Sequence, residues 1–233
     1  MSRLDGKVAI VTGASKGLGR AIATRLAQGG AFVVAAARSK DKLEQLEQKV
    51  SEQIVPFQCD VTKTPDVKAL INFAIERFGR LDILINNAGI GRFGKVEDLS
   101  EEDWDQMMAV NLKGAFLACK YAIPHLKQTE GHIVNISSVA GTESFAGGAG
   151  YCASKFGLMA LSDALTLELK PHHVKVSTVC PGSIKTEFGR PKDYALEAEQ
   201  VAETVWTIVS APKGVIINQV IMRPLVPREY QKK

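Results

Sequence analysis

Tyr151 and Lys155 stand four residues apart in the stretch GGAGYCASKFG, which runs from Gly147 to Gly157. On a helix, positions i and i+4 share a face. The chemistry open to such a pair is proton donation. A free phenol, with a pKa of about 10, is too weak an acid to work near neutrality. A cation held beside it lowers that value. The same spacing arises by chance on helix surfaces, so the pair alone leaves a proton donor and a surface coincidence both open. What decides is the set of elements that would position it and the residues they bring alongside.

Those elements alternate. Apolar strand-like runs are read at Val8–Val11, Phe32–Ala36, Ile54–Gln58, Leu81–Ile85, His132–Ile136, Lys175–Val179 and Val215–Met222. Helical patterns lie between them near 18–28, 41–52, 65–78, 103–127, 151–169 and 197–210, and Pro171 ends the fifth of these. Uninterrupted β-α-β alternation predicts a doubly wound, seven-stranded parallel sheet with helices on both faces, an α/β Rossmann fold with right-handed crossovers. With no repeat, low-complexity segment or linker, the whole chain 1–233 reads as one domain. The closing REYQKK reads as a polar tail.

The bulk numbers exclude several classes. The 233 residues are 45% hydrophobic and 23% charged, an ordinary globular profile with enough chain for a full core. The net charge of +4 is scattered, with no basic cluster of the kind that binds nucleic acid. The cysteines at 59, 119, 152 and 180 form no CxxC pair and no zinc spacing, so no metal site is expected and free thiols in a reducing, cytoplasmic setting are. His172 and His173 read as a surface turn. The N-terminus enters a strand pattern without the long apolar region of a signal peptide, and no apolar run reaches the ~18 residues of a membrane span.

The first βα unit, VAIVTGASKGLGRAIA, is an apolar strand, a glycine-rich turn and a helix. Residues without Cβ at Gly13, Gly17 and Gly19 let a pyrophosphate approach the backbone, and the helix start offers free N–H groups and a positive dipole end. Gly13, Ser15, Lys16, Gly17, Leu18 and Gly19 are therefore candidate cofactor contacts. Where a cofactor with a free ribose 2′-OH meets an acid, at the end of the second strand, this chain has Ala37 and then Arg38. Arg38 has the planar donor fork for a 2′-phosphate, and Lys16 adds charge nearby, so the expected cofactor is NADPH/NADP rather than NADH.

TGASKGLG, then NNAG at Asn86–Gly89, NISS at Asn135–Ser138, YCASK at Tyr151–Lys155 and PG at Pro181–Gly182 occur in that order, and the set resembles the short-chain dehydrogenase/reductase family over nearly the whole chain. The resemblance implies an oxidoreductase acting on CH–OH with NADP. Tyr151 would be the general acid or base and Lys155 the cation that lowers its pKa and holds the nicotinamide ribose. Ser138, rather than Ser137, would hydrogen-bond the substrate oxygen. Asn111 matches the position supporting a proton-relay water to the lysine. Asp60 and Val61 would flank the adenine, Asn87, Ala88 and Gly89 the adenosine ribose, and Pro181 and Gly182 would shape the loop whose Ile184 backbone meets the carboxamide and whose Thr186 side chain contacts the amide or phosphate. Homodimer or homotetramer formation through the helices at 103–127 and 151–169 is also implied.

Between Thr186 and the next helix stands only EFGRPKDYALEAEQ, so the substrate loop, at about 187–196, is short. A short loop argues for a small carbonyl substrate: an aldehyde, ketone or keto acid. Phe188, Arg190 and Tyr194 are candidate substrate neighbours, as are Thr142, Phe145 and Ala146; Arg190 reads more readily as an exposed loop cation than as a carboxylate partner. The C-terminal GVIINQVIMRPLVPREY lacks the glycine pair typical of 3-oxoacyl-acyl-carrier-protein reductases and looks more like the branch of 3-hydroxy-acid dehydrogenases and sepiapterin-type reductases. The carrier-protein (or thioester) reductase stands as the alternative, ahead of a non-catalytic NADPH-binding sensor.

Overall fold

The chain was analysed in a computed structural model, which describes residues 3–50, 52–188 and 193–226. Seven parallel strands form one sheet: β1 Val8–Thr12, β2 Phe32–Ala37, β3 Ile54–Gln58, β4 Ile83–Asn86, β5 His132–Ile136, β6 Lys175–Pro181 and β7 Gln219–Met222, in the order β3-β2-β1-β4-β5-β6-β7. The central strands are buried on both faces, as their continuous apolar runs require. Alternation sorts their side chains between two cores. Ala9, Val11, Ile83 and Ile85 pack towards α1 (Gly17–Gln28), α2 (Lys40–Val50) and α7 (Ala198–Val209). Ile10, Leu84 and Ile133 pack towards α3 (Thr64–Phe78), α5 (Gly114–Thr129) and α6 (Ala149–Leu169).

β1 and β4 are hydrogen-bonded neighbours, although β2 and β3 intervene in sequence. Strand order therefore reverses between them, and in such sheets the crevice outside the strand carboxyl ends at that point receives ligands. The residues leaving β1 and β4 there are Gly13 and Asn87.

Two expectations are corrected. The seventh strand, read from Val215, begins at Gln219, because the chain turns at Gly214 (φ 84°) and Val215 N–H donates back to the Pro212 carbonyl. The helix read at 103–127 is interrupted. It starts as α4, Glu101–Met107, capped where Ser100 accepts from Asp103 N–H at 3.1 Å. It then widens into a π-helical segment, Met108–Lys113, before α5. Such segments recur at functional sites, and this one carries Asn111. The tail REYQKK and Arg190 lie outside the described residues. All four cysteines are free and buried, and burial pushes the Cys59 and Cys119 thiols up to about 12. No helix among the described residues is long and apolar enough to cross a membrane.

Candidate active site

The glycine loop is built as a cradle. Gly13 (φ 67°) and Gly17 (φ 52°) take left-handed backbone that favours glycine. A Cβ at Gly13 would stand 2.8 Å from Ala88 Cα, and one at Gly19 would stand 2.3 Å from the Gly13 carbonyl oxygen. Thr12 ties this loop to the end of β4: its hydroxyl accepts from Asn87 N–H (3.0 Å) and Ala88 N–H (3.1 Å) and donates to the Ile85 carbonyl. Asn87 closes the other side, its amide donating to the Thr12 and Gly13 carbonyls. α1 begins at Gly17 with no side-chain cap and no acidic residue in its first turn. Its first N–H groups are thus left for an anion, the arrangement a diphosphate needs. The cradle fits the diphosphate of a dinucleotide, with Thr186 beside Gly17 (3.3 Å from an added Cβ).

Farther along the edge, Arg38 follows β2 as an exposed side chain close enough to Asp60 to act on it electrostatically. Partial burial would raise the Asp60 carboxyl, but hydrogen bonds from Thr62 and the charges of Arg38 and Lys63 hold it below the usual range. Val61, nearly buried, packs on Gly114 at the start of α5. Lys16 reaches the other way, pairing with Glu187 at 2.6 Å.

The proton-handling residues meet at the β5 and β6 ends. Ser138 follows β5 and opens a short 3₁₀ turn, Val139–Gly141; its hydroxyl accepts from Ala140 N–H at 3.1 Å and hydrogen-bonds Tyr151. Ser137 turns away and donates to the Lys155 carbonyl within α6. This is the alternation that separates the two serines. Tyr151 lies in the first turns of α6 and is 8% exposed. Lys155 is one turn on, its ammonium donating to the Ile136 carbonyl at 2.9 Å and lying 5.8 Å from the Tyr151 ring centre. Burial pushes the Tyr151 phenol up to about 12, against the Ser138 hydrogen bond, and pushes Lys155 down to about 8. The net effect on Tyr151 is thus a raised pKa, set chiefly by desolvation, where a lowering by Lys155 was expected.

Asn111 is fully buried and uses its side chain to hold the neighbouring loop. It accepts from Ile90 N–H at 2.8 Å and donates to the Ile90 carbonyl and to Ser154, both at 2.9 Å. An added Cβ at Gly89 would lie 3.5 Å from the Asn111 oxygen and 3.6 Å from the Lys155 nitrogen, so these three positions border one space.

The sequence matches the family model described as short chain dehydrogenase over residues 7–196. The chain belongs to the short-chain dehydrogenase family. It is an oxidoreductase by that membership. An uncharacterised oxidoreductase of Staphylococcus aureus is 39% identical over 233 residues, covering 97% of this chain and all of the relative. Among solved structures, an alcohol dehydrogenase from the archaeon Thermococcus sibiricus, complexed with 5-hydroxy-NADP, is 33% identical with TM-score 0.88 over 97% of this chain and 98% of that one. A 3-ketoacyl-(acyl-carrier-protein) reductase from Brucella melitensis, complexed with NADH, is 30% identical with TM-score 0.89 over 94% of this chain and 98% of that one.

As a short-chain dehydrogenase, this chain brings most of its sequence-read site residues to one sheet edge. Pro181 ends β6 and accepts from Ser138; Gly182 packs on Pro224; Ile184 pairs with Leu196. Ser15 and Leu18 are half-buried in the glycine loop and α1. Phe188 reaches the Tyr151 ring, whereas Thr142 hydrogen-bonds locally to the Val139 carbonyl. Sequence reading missed Thr12, Ile90, Phe93, Ser154 and Glu187. Phe93 had a signal in hindsight: a large apolar residue in GRFGK, a stretch with no strand or helix period to bury it. A surface hollow of about 310 Å³ between α3 and α5 is lined by Lys68, Tyr121 and His125 among others, and none of these belongs to the constellation above.

Proposed function

We propose that this protein is an NADPH-dependent reductase of small carbonyl compounds, reversibly interconverting an aldehyde or ketone with its alcohol. The observation that carries the reading is the meeting of the Ser138 and Tyr151 hydroxyls, with Lys155 one helical turn behind, at the carboxyl edge of the sheet. A bound nicotinamide cofactor supplies the hydride. Gly13 to Gly19 and the start of α1 hold its diphosphate, Arg38 a 2′-phosphate, and Asp60, Val61, Asn87, Ala88 and Gly89 line its adenosine end. Ser138 donates to the carbonyl oxygen of the substrate as negative charge develops there. Tyr151 gives the same oxygen its proton. Lys155, charged below about pH 8, stabilises the tyrosinate left behind. Asn111 holds the Ile90 loop against Lys155, and its place beside that ammonium suits a proton relay.

Arg38 and the lack of an acid at the β2 end support NADPH over NADH. The test is oxidation of NADPH and NADH in parallel against a short diketone, an aromatic aldehyde, a 3-keto acid, sepiapterin and an acetoacetyl thioester. Turnover with NADPH on a free carbonyl is the expected result. Turnover restricted to the thioester supports the second reading, a 3-oxoacyl thioester reductase, which the likeness to the Brucella enzyme favours. Tyr151→Phe lowers kcat at least ~100-fold while NADPH binding persists; a variant as fast as wild type would falsify the mechanism. Association into dimers or tetramers through α5 and α6 belongs to the same proposal, since Phe116 and Phe156 on these helices are 45% and 43% exposed. Light scattering that finds only monomer at micromolar concentration removes that part.

A further inference from the structure

Two phenylalanines from separate loops pack on the Tyr151 ring, and a third from another loop packs on one of them. Phe93 meets the tyrosine edge-on, with ring centres 5.5 Å apart and planes at 69°. Phe188 lies on it at 5.9 Å and 47°. Phe145 joins through Phe93, at 6.0 Å. The tyrosine is buried, but Phe93, Phe145 and Phe188 are 54%, 50% and 42% exposed. A lone exposed phenylalanine on a protein surface needs no explanation, but three linked ring to ring with one tyrosine form an apolar wall open to a ligand.

The wall is built into the backbone. Gly94 N–H donates to the Gly147 carbonyl at 2.9 Å, joining the loops that carry Phe93 and Phe145. Gly91 makes room for two of the rings: a Cβ there would stand 2.8 Å from Phe93 Cζ and 3.0 Å from Phe188 Cζ. Gly148 does the same for Phe145, whose ring would lie 2.5 Å from an added Cβ.

The described charged neighbours of these rings are paired. Arg92, next to Phe93, pairs with Asp103 at 3.1 Å. Glu143, two residues before Phe145, pairs with Arg223 at 2.8 Å. Glu187, next to Phe188, pairs with Lys16. Among the described residues, none of these neighbours offers an uncommitted cation to a carboxylate on the substrate.

We infer that the substrate presents a flat, uncharged apolar group, an aryl ring or its equivalent, beside the carbonyl, and that Phe93, Phe145 and Phe188 select it. The inference rests on the carbonyl-reductase reading and narrows it: keto acids fall out of the substrate class and neutral aryl ketones and aldehydes remain. An aryl group placed against these rings gains offset or edge-to-face contacts worth roughly two- to tenfold in binding for each pair.

The test compares three carbonyls with the reduced cofactor: 2,3-butanedione, 1-phenyl-1,2-propanedione, in which phenyl replaces one methyl, and phenylglyoxylate, which carries the aryl ring and a carboxylate. The expected kcat/KM is about tenfold or more higher for the phenyl diketone than for either of the others. In Phe93→Ala and Phe188→Ala that aryl-over-alkyl ratio falls at least about threefold, with folding checked by circular dichroism. A ratio near one in the wild type, a preference for phenylglyoxylate, or a ratio unmoved in both variants overturns the inference. If none of the three is reduced, the carbonyl reading fails for this class. Saturation-transfer NMR with benzamide, in the presence of NADP⁺, then decides separately: binding that weakens in both variants upholds the aryl wall, and no binding at millimolar benzamide overturns it.

Discussion

The side chain of Asn111 grips both backbone groups of Ile90, accepting its N–H at 2.8 Å and donating to its carbonyl at 2.9 Å. A third bond, to Ser154 on α6, uses the remaining amide proton. One buried amide thus joins the π-helical segment, the loop after β4 and the helix that carries Tyr151 and Lys155. Truncation leaves the partly buried Ile90 backbone groups without this partner and takes one of two hydrogen bonds from the buried Ser154 hydroxyl. Asn111→Ala is expected to cost about 2–4 kcal/mol of stability, and Ser154→Ala, which removes one of the three bonds, about 1 kcal/mol. Denaturant midpoints of the two variants check this order. Equal losses would mean that the Ile90 clasp contributes little.

Lys16 and Arg38, the cations proposed to meet a 2′-phosphate, start from different states. Arg38 is exposed with its guanidinium in no ion pair of the structure's described residues, whereas Lys16 is held by Glu187. Arg38→Ala therefore weakens NADPH by roughly ten- to a hundredfold and leaves NADH nearly unchanged. Glu187→Gln releases Lys16 and tightens NADPH by up to about fivefold, the limit set by the small worth of an exposed pair. Fluorescence titration with both cofactors reads the two effects. A weaker NADPH complex in Glu187→Gln would show that Glu187 positions Lys16 instead of competing for it.

Lys155 is fully buried, and burial brings its pKa to about 8, while Tyr151 stays protonated to about 12. As pH rises through 8, Lys155 loses the charge that stabilises a tyrosinate, and the phenol has not yet ionised to compensate. The expected profile of kcat/KM for reduced cofactor, which reports groups of the free protein, falls on the alkaline side with a midpoint near 8. Stability has the opposite sign there: the unfolded lysine keeps its proton to about 10.4, so the native state gains between pH 8 and that value. A flat kinetic profile to pH 9.5 would show that Lys155 holds its charge in the folded protein.

The sheet was legible because parallel strands buried on both faces read as nearly unbroken apolar runs, and VAIVT and FVVAAA are such runs. The glycine loop was legible because steric room at Gly13 and Gly19 leaves no other residue as an option. The π-helical widening at Asn111 was not, since a single inserted position barely disturbs a helical hydrophobic period. Nor were the partners of long side chains: the Lys16–Glu187 pair and the Phe93–Tyr151 contact join residues 171 and 58 positions apart, and only the fold sets such distances. Spacing likewise reveals the lysine near Tyr151 but not the burial that raises the phenol's pKa.

His132 opens β5 fully buried, with Nε2 2.7 Å from the Ser177 hydroxyl, and burial holds its pKa down at about 3. The unfolded histidine takes up a proton near 6.5. Between these values the unfolded state binds the extra proton, so stability is fully present above about pH 6.5 and is lost as pH falls towards 3. From pH 7 to pH 5 the loss from this one residue is about 2 kcal/mol, at ~1.4 kcal/mol per pH unit once below 6.5. His132→Gln keeps a polar partner for Ser177 and cannot ionise. Urea unfolding at pH 7 and pH 5 should show the wild type losing about 2 kcal/mol more than this variant. Parallel losses in the two proteins would mean that His132 is already protonated in the native fold, or that other groups carry the acid sensitivity.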